Sequence, residues 1–305
     1  MSRAKQKPQR TRASREKELP REMNLLRILG IGSSAVVSLA ELQYGDGTTT
    51  LVAVKSPRNP ATSRMIEREG LILDELKGCP EITQCIGKMA DFVNGTLPIC
   101  QVYLEYVPWG SLFSLLKSAG PLPEQQVRDY TKSILKGLAH IHMKEYVHCD
   151  IKPANILVCS SSQIKITDFG LAKPAGVGKD EDFPYEIRCT PQYMAPECVT
   201  RDMYEAPLDI WALGCTVAEM VTGQLALKFE DGCDLRRWMN AIGEGIVLPE
   251  IPEKLSEAGR DFLKMCFVRE PMLRWTAEML LKHPFLSDSA NAAKTKELLW
   301  GFECC

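Results

Sequence analysis

The residues best equipped for chemistry lie in one stretch, Val147-His148-Cys149-Asp150-Ile151-Lys152-Pro153-Ala154-Asn155-Ile156-Leu157. An acid (Asp150), a base (Lys152) and an amide (Asn155) stand at offsets of zero, two and five. An extended loop with that spacing can aim all three side chains at one point. The apolar Ile156-Leu157-Val158 that follows predicts a strand to anchor the loop. Eighteen residues after Asp150 comes a second acid, in Ile166-Thr167-Asp168-Phe169-Gly170.

Two further groups lie upstream. Gly30-x-Gly32-x-x-Ala35-x-Val37 sits between two strand-like runs, where glycines let a backbone approach phosphates closely. On its own this is a weak signal, equally readable as a plain hairpin. Val52-Ala53-Val54-Lys55 follows, with Lys55 placed 25 residues after Gly30. A lone lysine on a strand is ordinarily a surface charge.

In this order the segments resemble eukaryotic protein kinases, and the resemblance spans about residues 23 to 286. It implies phosphoryl transfer, which needs a nucleotide held still, metal to neutralise phosphate charge, and an acceptor hydroxyl in line. ATP and Mg²⁺ are therefore the implied cofactors. Asp150 becomes the catalytic base, and Lys152 balances charge on the transferred phosphate. Asn155 and Asp168 become the Mg²⁺ ligands, since their oxygens suit a hard cation that keeps several waters. Lys55 would hold the α- and β-phosphates and needs a helix glutamate as partner. Glu69 fits the family spacing, and Glu67 is a rival set two residues off the expected face. Leu29, Gly30, Gly32 and Val37 would cover the nucleotide, with Glu105 and Val107 at the hinge. A lysine two residues after the aspartate goes with serine/threonine specificity. Met194-Ala195-Pro196-Glu197, Arg274 and Asp209-Ile210-Trp211-Ala212-Leu213-Gly214 match family props of the catalytic loop, and His148 reads as structural.

Within the family, three details are similar to plant MAP kinase kinase kinases of the MEKK-like group. They are His148-Cys149-Asp150-Ile151-Lys152, the helix Trp211 to Gly223, and Arg274-Trp275-Thr276 with His283-Pro284-Phe285-Leu286. The implied partner is a protein substrate, a MAP kinase kinase. Two readings compete with that one: a catalytically inactive scaffold on the same fold, and a serine/threonine kinase of another branch. The full set Lys55, Glu69, Asp150, Asn155 and Asp168 speaks for catalysis.

Some positions depart from the family pattern. Ala35 replaces a third glycine, a change of one methyl group. Cys149 stands where many kinases carry an arginine that grips an activating phosphate. Leu171 to Cys189 contains no Ser or Thr, and Tyr185 is its only hydroxyl. Activity is therefore expected not to depend on phosphorylation there. Asp180-Glu181-Asp182 reads as a solvated acidic turn. Thr190 is expected to bond the catalytic aspartate and lysine, while Cys189 replaces a usual glycine beside it. Ser111 and Ala154 occupy places where arginine-directed kinases carry glutamates, so little selection for upstream arginine is expected.

The elements that must position these residues can be read from period and turn chemistry. Leu25–Leu29, Val36–Leu42, Leu51–Lys55 and Pro98–Val107 read as strands. Ser63–Leu76 repeats its apolar residues at three and four, as a helix does. Pro123-Glu124 opens a helix with the stripe Val127, Tyr130, Ile134, Leu138 and Ile141. Asp209–Val221, Gly259–Phe267 and Thr276–Leu281 supply more. The expected fold class is α+β and bilobal, with a β-rich lobe over 23–105 and a helical lobe over 106–286. No internal repeat is visible.

Length and composition agree with this reading. A chain of 305 residues, 45% hydrophobic and 25% charged, can form a sizeable core. The net charge of −2 gives no reason to expect specific nucleic-acid binding. Residues 1–22 read as a disordered basic tail, with eight Lys or Arg against two Glu in the first 21. That tail is either a solvated arm or a nuclear-import or acidic-partner segment. Residues 287–305 read as a short second tail. Its terminal Cys304-Cys305 does not fit a prenylation pattern. The start lacks the apolar core of a signal peptide, and no apolar run reaches the ~18 residues of a membrane span. Twelve cysteines without a C-x-x-C pair argue against zinc and for reduced thiols. The expected location is the cytoplasm, with the nucleus left open by the basic tail.

Overall fold

Alternation along Leu51-Val52-Ala53-Val54-Lys55 produces the middle strand of a five-stranded antiparallel sheet. In the computed structural model, which describes residues 21–91, 99–178, 187–228 and 234–287, the strands are β1 (Glu22–Ile31), β2 (Ala35–Gln43), β3 (Thr49–Pro57), β4 (Cys85–Asp91) and β5 (Ile99–Glu105). Their order across the sheet is β1-β2-β3-β5-β4. Pairing starts at Arg21, whose N–H donates to the Gln43 carbonyl at 2.8 Å, inside the stretch assigned to the basic tail. Val52 and Val54 pack on one face with Ala40, Leu42 and Tyr103. Ala53 turns to the other face, into the main core, and Lys55 shares that side.

Helix α1 (Ser63–Glu75) lies against this second face and buries Ile66, Glu69, Ile72 and Leu73. Gly78, at φ +95°, turns the chain out of it. β4 was not expected from the sequence. Gly87 and Lys88 break any apolar alternation in Cys85-Ile86-Gly87-Lys88-Met89-Ala90-Asp91, so the strand depends on its pairing with β5.

Beyond β5 the chain becomes helical. α2 (Leu112–Ala119) and α3 (Glu124–Met143) come first. A core strip from Val127 to Ile141 on α3 is buried, as its stripe implied. The stretch from His148 to Asn155 follows β6 (Tyr146–Val147) and runs into β7 (Ile156–Val158), which pairs with β8 (Ile164–Ile166). β9 (Lys173–Pro174) returns to pair with β6. Then come α4 (Pro196–Thr200), α5 (Ala206–Thr222), α6 (Leu235–Glu244), α7 (Glu257–Cys266) and α8 (Ala277–Leu280). α5 begins three residues before the expected Asp209, because Pro207 suits a helix's first turn. Gly223, at φ +71°, ends it in the left-handed conformation. α5 is buried almost all round, the mark of a helix at the centre of a lobe.

The two lobes share one core. Thr83 N–H donates to the Ile166 carbonyl and Ile166 N–H to the Glu81 carbonyl, which joins the segment after α1 to β8. Among the described residues no helix is long and apolar enough to cross a membrane. The expected acidic turn at 180–182, Tyr185 and the pair Cys304-Cys305 lie outside the described residues.

Candidate active site

Each predicted group is placed by a different element. β3 carries Lys55, and α1 carries Glu69 on its buried face. Their side chains meet, with Lys55 Nζ 2.5 Å from Glu69 Oε2. Glu67, the rival partner, is exposed. Lys55 also reaches Asp168 Oδ1 at 2.7 Å. The second oxygen of Glu69 accepts the N–H of Phe169 at 3.2 Å, so the helix glutamate grips the loop that presents Asp168. Sheet, helix and loop are thereby locked together across 113 residues of sequence.

The electrostatics follow from this triad. Burial opposes the charge of Lys55, but Asp168 and Glu69 outweigh it and hold the ammonium above its ordinary value. Burial would likewise raise the Asp168 carboxyl, yet Lys55 overrides it and lowers that group from 3.8 to about 2. For Glu69, burial is the larger influence and raises its carboxyl above the ordinary value, while Lys55 pulls it back down. At 2.5 Å from a lysine held so firmly protonated, the ionised pair is the resident state. The Asp168 side chain remains 48% exposed, so its ionised carboxylate is open to solvent.

The catalytic loop is built around Asp150, itself buried. Asn155 Nδ2 donates to Asp150 Oδ2 at 2.8 Å and to the Asp150 carbonyl at 2.9 Å. Lys152 Nζ lies 2.7 Å from Asp150 Oδ2. Thr190 closes the ring as expected: its hydroxyl donates to Asp150 Oδ1 at 2.6 Å and accepts from Lys152 Nζ at 2.7 Å. With Nδ2 committed, Asn155 has its amide oxygen left for another partner. That oxygen and the free carboxylate edge of Asp168 are the donor types a hard divalent cation takes. Among the described residues no cluster of three or more His, Cys, Asp or Glu could hold a metal unaided. A cation here would take its remaining ligands from phosphate and water, as Mg²⁺ prefers.

Two non-glycine residues in these loops have left-handed backbones, Cys149 at φ +68° and Asp168 at φ +65°. Such conformations persist only where surroundings hold them. Asp209 of α5 does so for the first, accepting the N–H groups of His148 and Cys149 at 2.9 Å each. His148 is structural: Asp150 N–H donates to its Nδ1, and its ring meets Phe169 edge-on at 4.7 Å. Burial lowers the His148 pKa, favouring the neutral ring. Burial also pushes the Cys149 thiol far up, leaving it an inert thiol in place of a phosphate-gripping arginine.

The predicted nucleotide cover lies at the end of the sheet. Gly30 falls at the end of β1, Gly32 begins the turn, and Gly32 N–H donates to the Ala35 carbonyl at 2.8 Å. Gly30 and Gly32 are exposed, while Leu29 and Val37 flank the turn. At the hinge, Glu105 accepts from Gln84 N–H at 2.8 Å and pairs with Lys165 at 2.7 Å. Val107 follows half-buried. Glu197 and Arg274 form a buried two-point pair at 2.6 and 3.0 Å. Ser111 caps α2 and Ala154 is exposed, so neither position offers a carboxylate.

Sequence reasoning passed over Lys173, Arg188 and Glu205. Lys173 and Arg188 are buried cations in or beside the segment between Asp168 and Glu197, and Glu205 precedes α5. No motif marks them, because their partners are set by tertiary contact.

Comparison with known proteins agrees with this geometry. Residues 23–286 match the family described as protein kinase domain. Mitogen-activated protein kinase kinase kinase 20 of Arabidopsis thaliana is 44% identical over 267 residues, spanning 85% of this chain and 76% of that protein. Mitogen-activated protein kinase kinase kinase 17 of the same plant is 37% identical over 263 residues, spanning 86% and 68%. Mitogen-activated protein kinase kinase kinase 18 is 37% identical over 273 residues, spanning 85% and 76%. A protein kinase domain takes ATP and a divalent cation and modifies protein. With this match over residues 23–286, with relatives 37–44% identical, and with Lys55, Glu69 and Asp168 joined in one ion-paired group, the chain belongs to the protein kinase family.

Proposed function

We propose that this protein serine/threonine kinase acts as a MAP kinase kinase kinase, transferring the γ-phosphate of ATP to a hydroxyl of a MAP kinase kinase. The observation that carries catalysis is the Lys55–Glu69–Asp168 triad standing over a satisfied Asp150–Asn155–Thr190–Lys152 ring. A scaffold without activity has no use for that arrangement. The names of the relatives support the place in the cascade.

The roles follow from position. Lys55 binds phosphate oxygens, held in place by Glu69. Leu29, Gly30, Gly32 and Val37 cover the nucleotide, and the main chain from Glu105 to Val107 holds its base. Asp168 and Asn155 hold Mg²⁺, which when bound neutralises phosphate charge. Asp150 orients the acceptor hydroxyl and takes its proton. Lys152 balances charge on the moving group.

The test is in vitro phosphorylation of a panel of catalytically inactive MAP kinase kinases, with Asp168→Asn as control. Modification by the wild type and none by the variant is the expected result. A wild type that modifies no member while modifying another protein would move the chain to a different serine/threonine branch.

A further inference from the structure

The paired strands β6 and β9 connect the two working loops. Val147 of β6 lies opposite Lys173 of β9. β6 leads directly into His148-Cys149-Asp150, and β9 follows the loop of Asp168. Lys173 is 4% exposed. A buried ammonium is costly unless an opposite charge and hydrogen bonds satisfy it. Its Nζ donates to Glu205 Oε1 at 2.8 Å and to the Tyr204 carbonyl at 3.0 Å. The other carboxylate oxygen of Glu205 accepts the N–H of Gly176 at 3.0 Å.

Glu205 is the residue that precedes α5, yet its side chain does not cap that helix. It points to β9 instead. Four residues on, Asp209 holds the N–H groups of His148 and Cys149. The start of α5 thus carries two carboxylates, one gripping the catalytic loop and one gripping the exit of the metal loop. Arg188 adds a third tie, donating from Nη1 to the carbonyls of Leu171 at 3.1 Å and Ala172 at 3.4 Å.

We propose that Glu205 is a built-in anion that holds Lys173 to Gly176, the exit of the Asp168 loop, in its working form. Where activity depends on phosphorylation, an added phosphate orders this segment by pairing with cations. Here Cys149 supplies no cation, and Lys173 already has its anion in the chain. Glu205 is a positioning residue acting through Lys173 and Gly176, and no covalent step is involved. The proposal rests on the chain being an active kinase but not on which protein it phosphorylates.

The test uses the purified full chain after phosphatase treatment, with an inactive MAP kinase kinase and dephosphorylated casein as separate acceptors. Rates are compared on whichever acceptor the wild type modifies. Failure on the MAP kinase kinase alone then counts against the substrate reading and leaves this one measurable. The treated wild type is expected to keep its activity. Glu205→Gln is expected to lower kcat about tenfold or more while the KM for ATP stays within about twofold, since Lys55, Glu69 and Asp168 are untouched. Glu205→Asp, which keeps the charge, should recover most of the loss. Adding Glu205→Gln to Lys173→Met should cost nothing further, because the cation is gone and the glutamine amide oxygen can still accept the Gly176 N–H. If Glu205→Gln alone does not fold, that last pair decides. Loss of activity on phosphatase treatment, a Glu205→Gln kcat within about twofold of wild type, an ATP KM that rises in step with the lost kcat, or a double variant about tenfold below Lys173→Met would each overturn the proposal.

Discussion

At the scale of single residues, the site depends on Asp168 staying ionised beside Lys55. Its carboxyl falls from 3.8 to about 2, chiefly because Lys55 overrides the effect of burial. A lowered acid adds stability that is fully present above its ordinary value and is lost as pH falls through the lowered one. Lys55, raised in the fold, loses its contribution only on the alkaline side. The pair therefore contributes a constant amount around neutrality. The unfolding free energy of Asp168→Asn, followed by urea titration at successive pH values, should differ from wild type by a fixed offset near neutrality. That offset should shrink between about pH 4 and about pH 2. An offset unchanged down to the acid limit would mean that Asp168 is not held by Lys55.

At the scale of elements, the buried pair Glu197–Arg274 joins α4 to the segment before α8, with side chains 2% and 0% exposed. Arg274 also donates to the carbonyls of Pro207 and Val268, so it ties in the start of α5. Arg274→Leu strands a buried carboxylate and should cost about 3–5 kcal/mol of unfolding free energy. Arg274→Leu with Glu197→Leu should cost no more than Arg274→Leu alone, as denaturant curves would show. A double loss equal to the sum of the singles would show that the pair is not coupled. The elements that were legible in the sequence were those with their own signal. β2 and β3 alternate, α1 and α3 carry apolar stripes, and Gly223 marks the end of α5. Elements held by partners were not legible. β6 and β9 are two residues each, and β4 is interrupted by Gly87 and Lys88. α2 spans only eight residues after the break at Trp109-Gly110. The site was legible further than the fold, because Asp150, Lys152, Asn155 and Asp168 sit at fixed offsets in short loops. Glu205 was not legible, because its meaning comes from Lys173 and Gly176 folding against it.

At the scale of the whole molecule, two lobes share one core, and the Phe169 N–H ties the loop of Asp168 to Glu69 of α1. Substrate choice belongs to this scale, since Ser111 caps α2 and Ala154 lies in the loop of Asp150. Ser111 and Ala154 give a basic side chain no carboxylate there, so a peptide library should show little selection for arginine upstream of the target hydroxyl. Strong upstream arginine selection would place a carboxylate elsewhere on that surface and count against a MAP kinase kinase as substrate.

The most direct measurement is γ-phosphate transfer from ATP to an inactive MAP kinase kinase by the wild type and by Asp150→Asn, with ATP affinity measured on both. Asp150 is expected to act on the acceptor hydroxyl and not on the nucleotide. Its loss should lower kcat roughly 10²–10⁴-fold while the ATP Kd stays within about twofold. A wild type that transfers no phosphate to any acceptor, or an Asp150→Asn variant that keeps its kcat, would contradict the account.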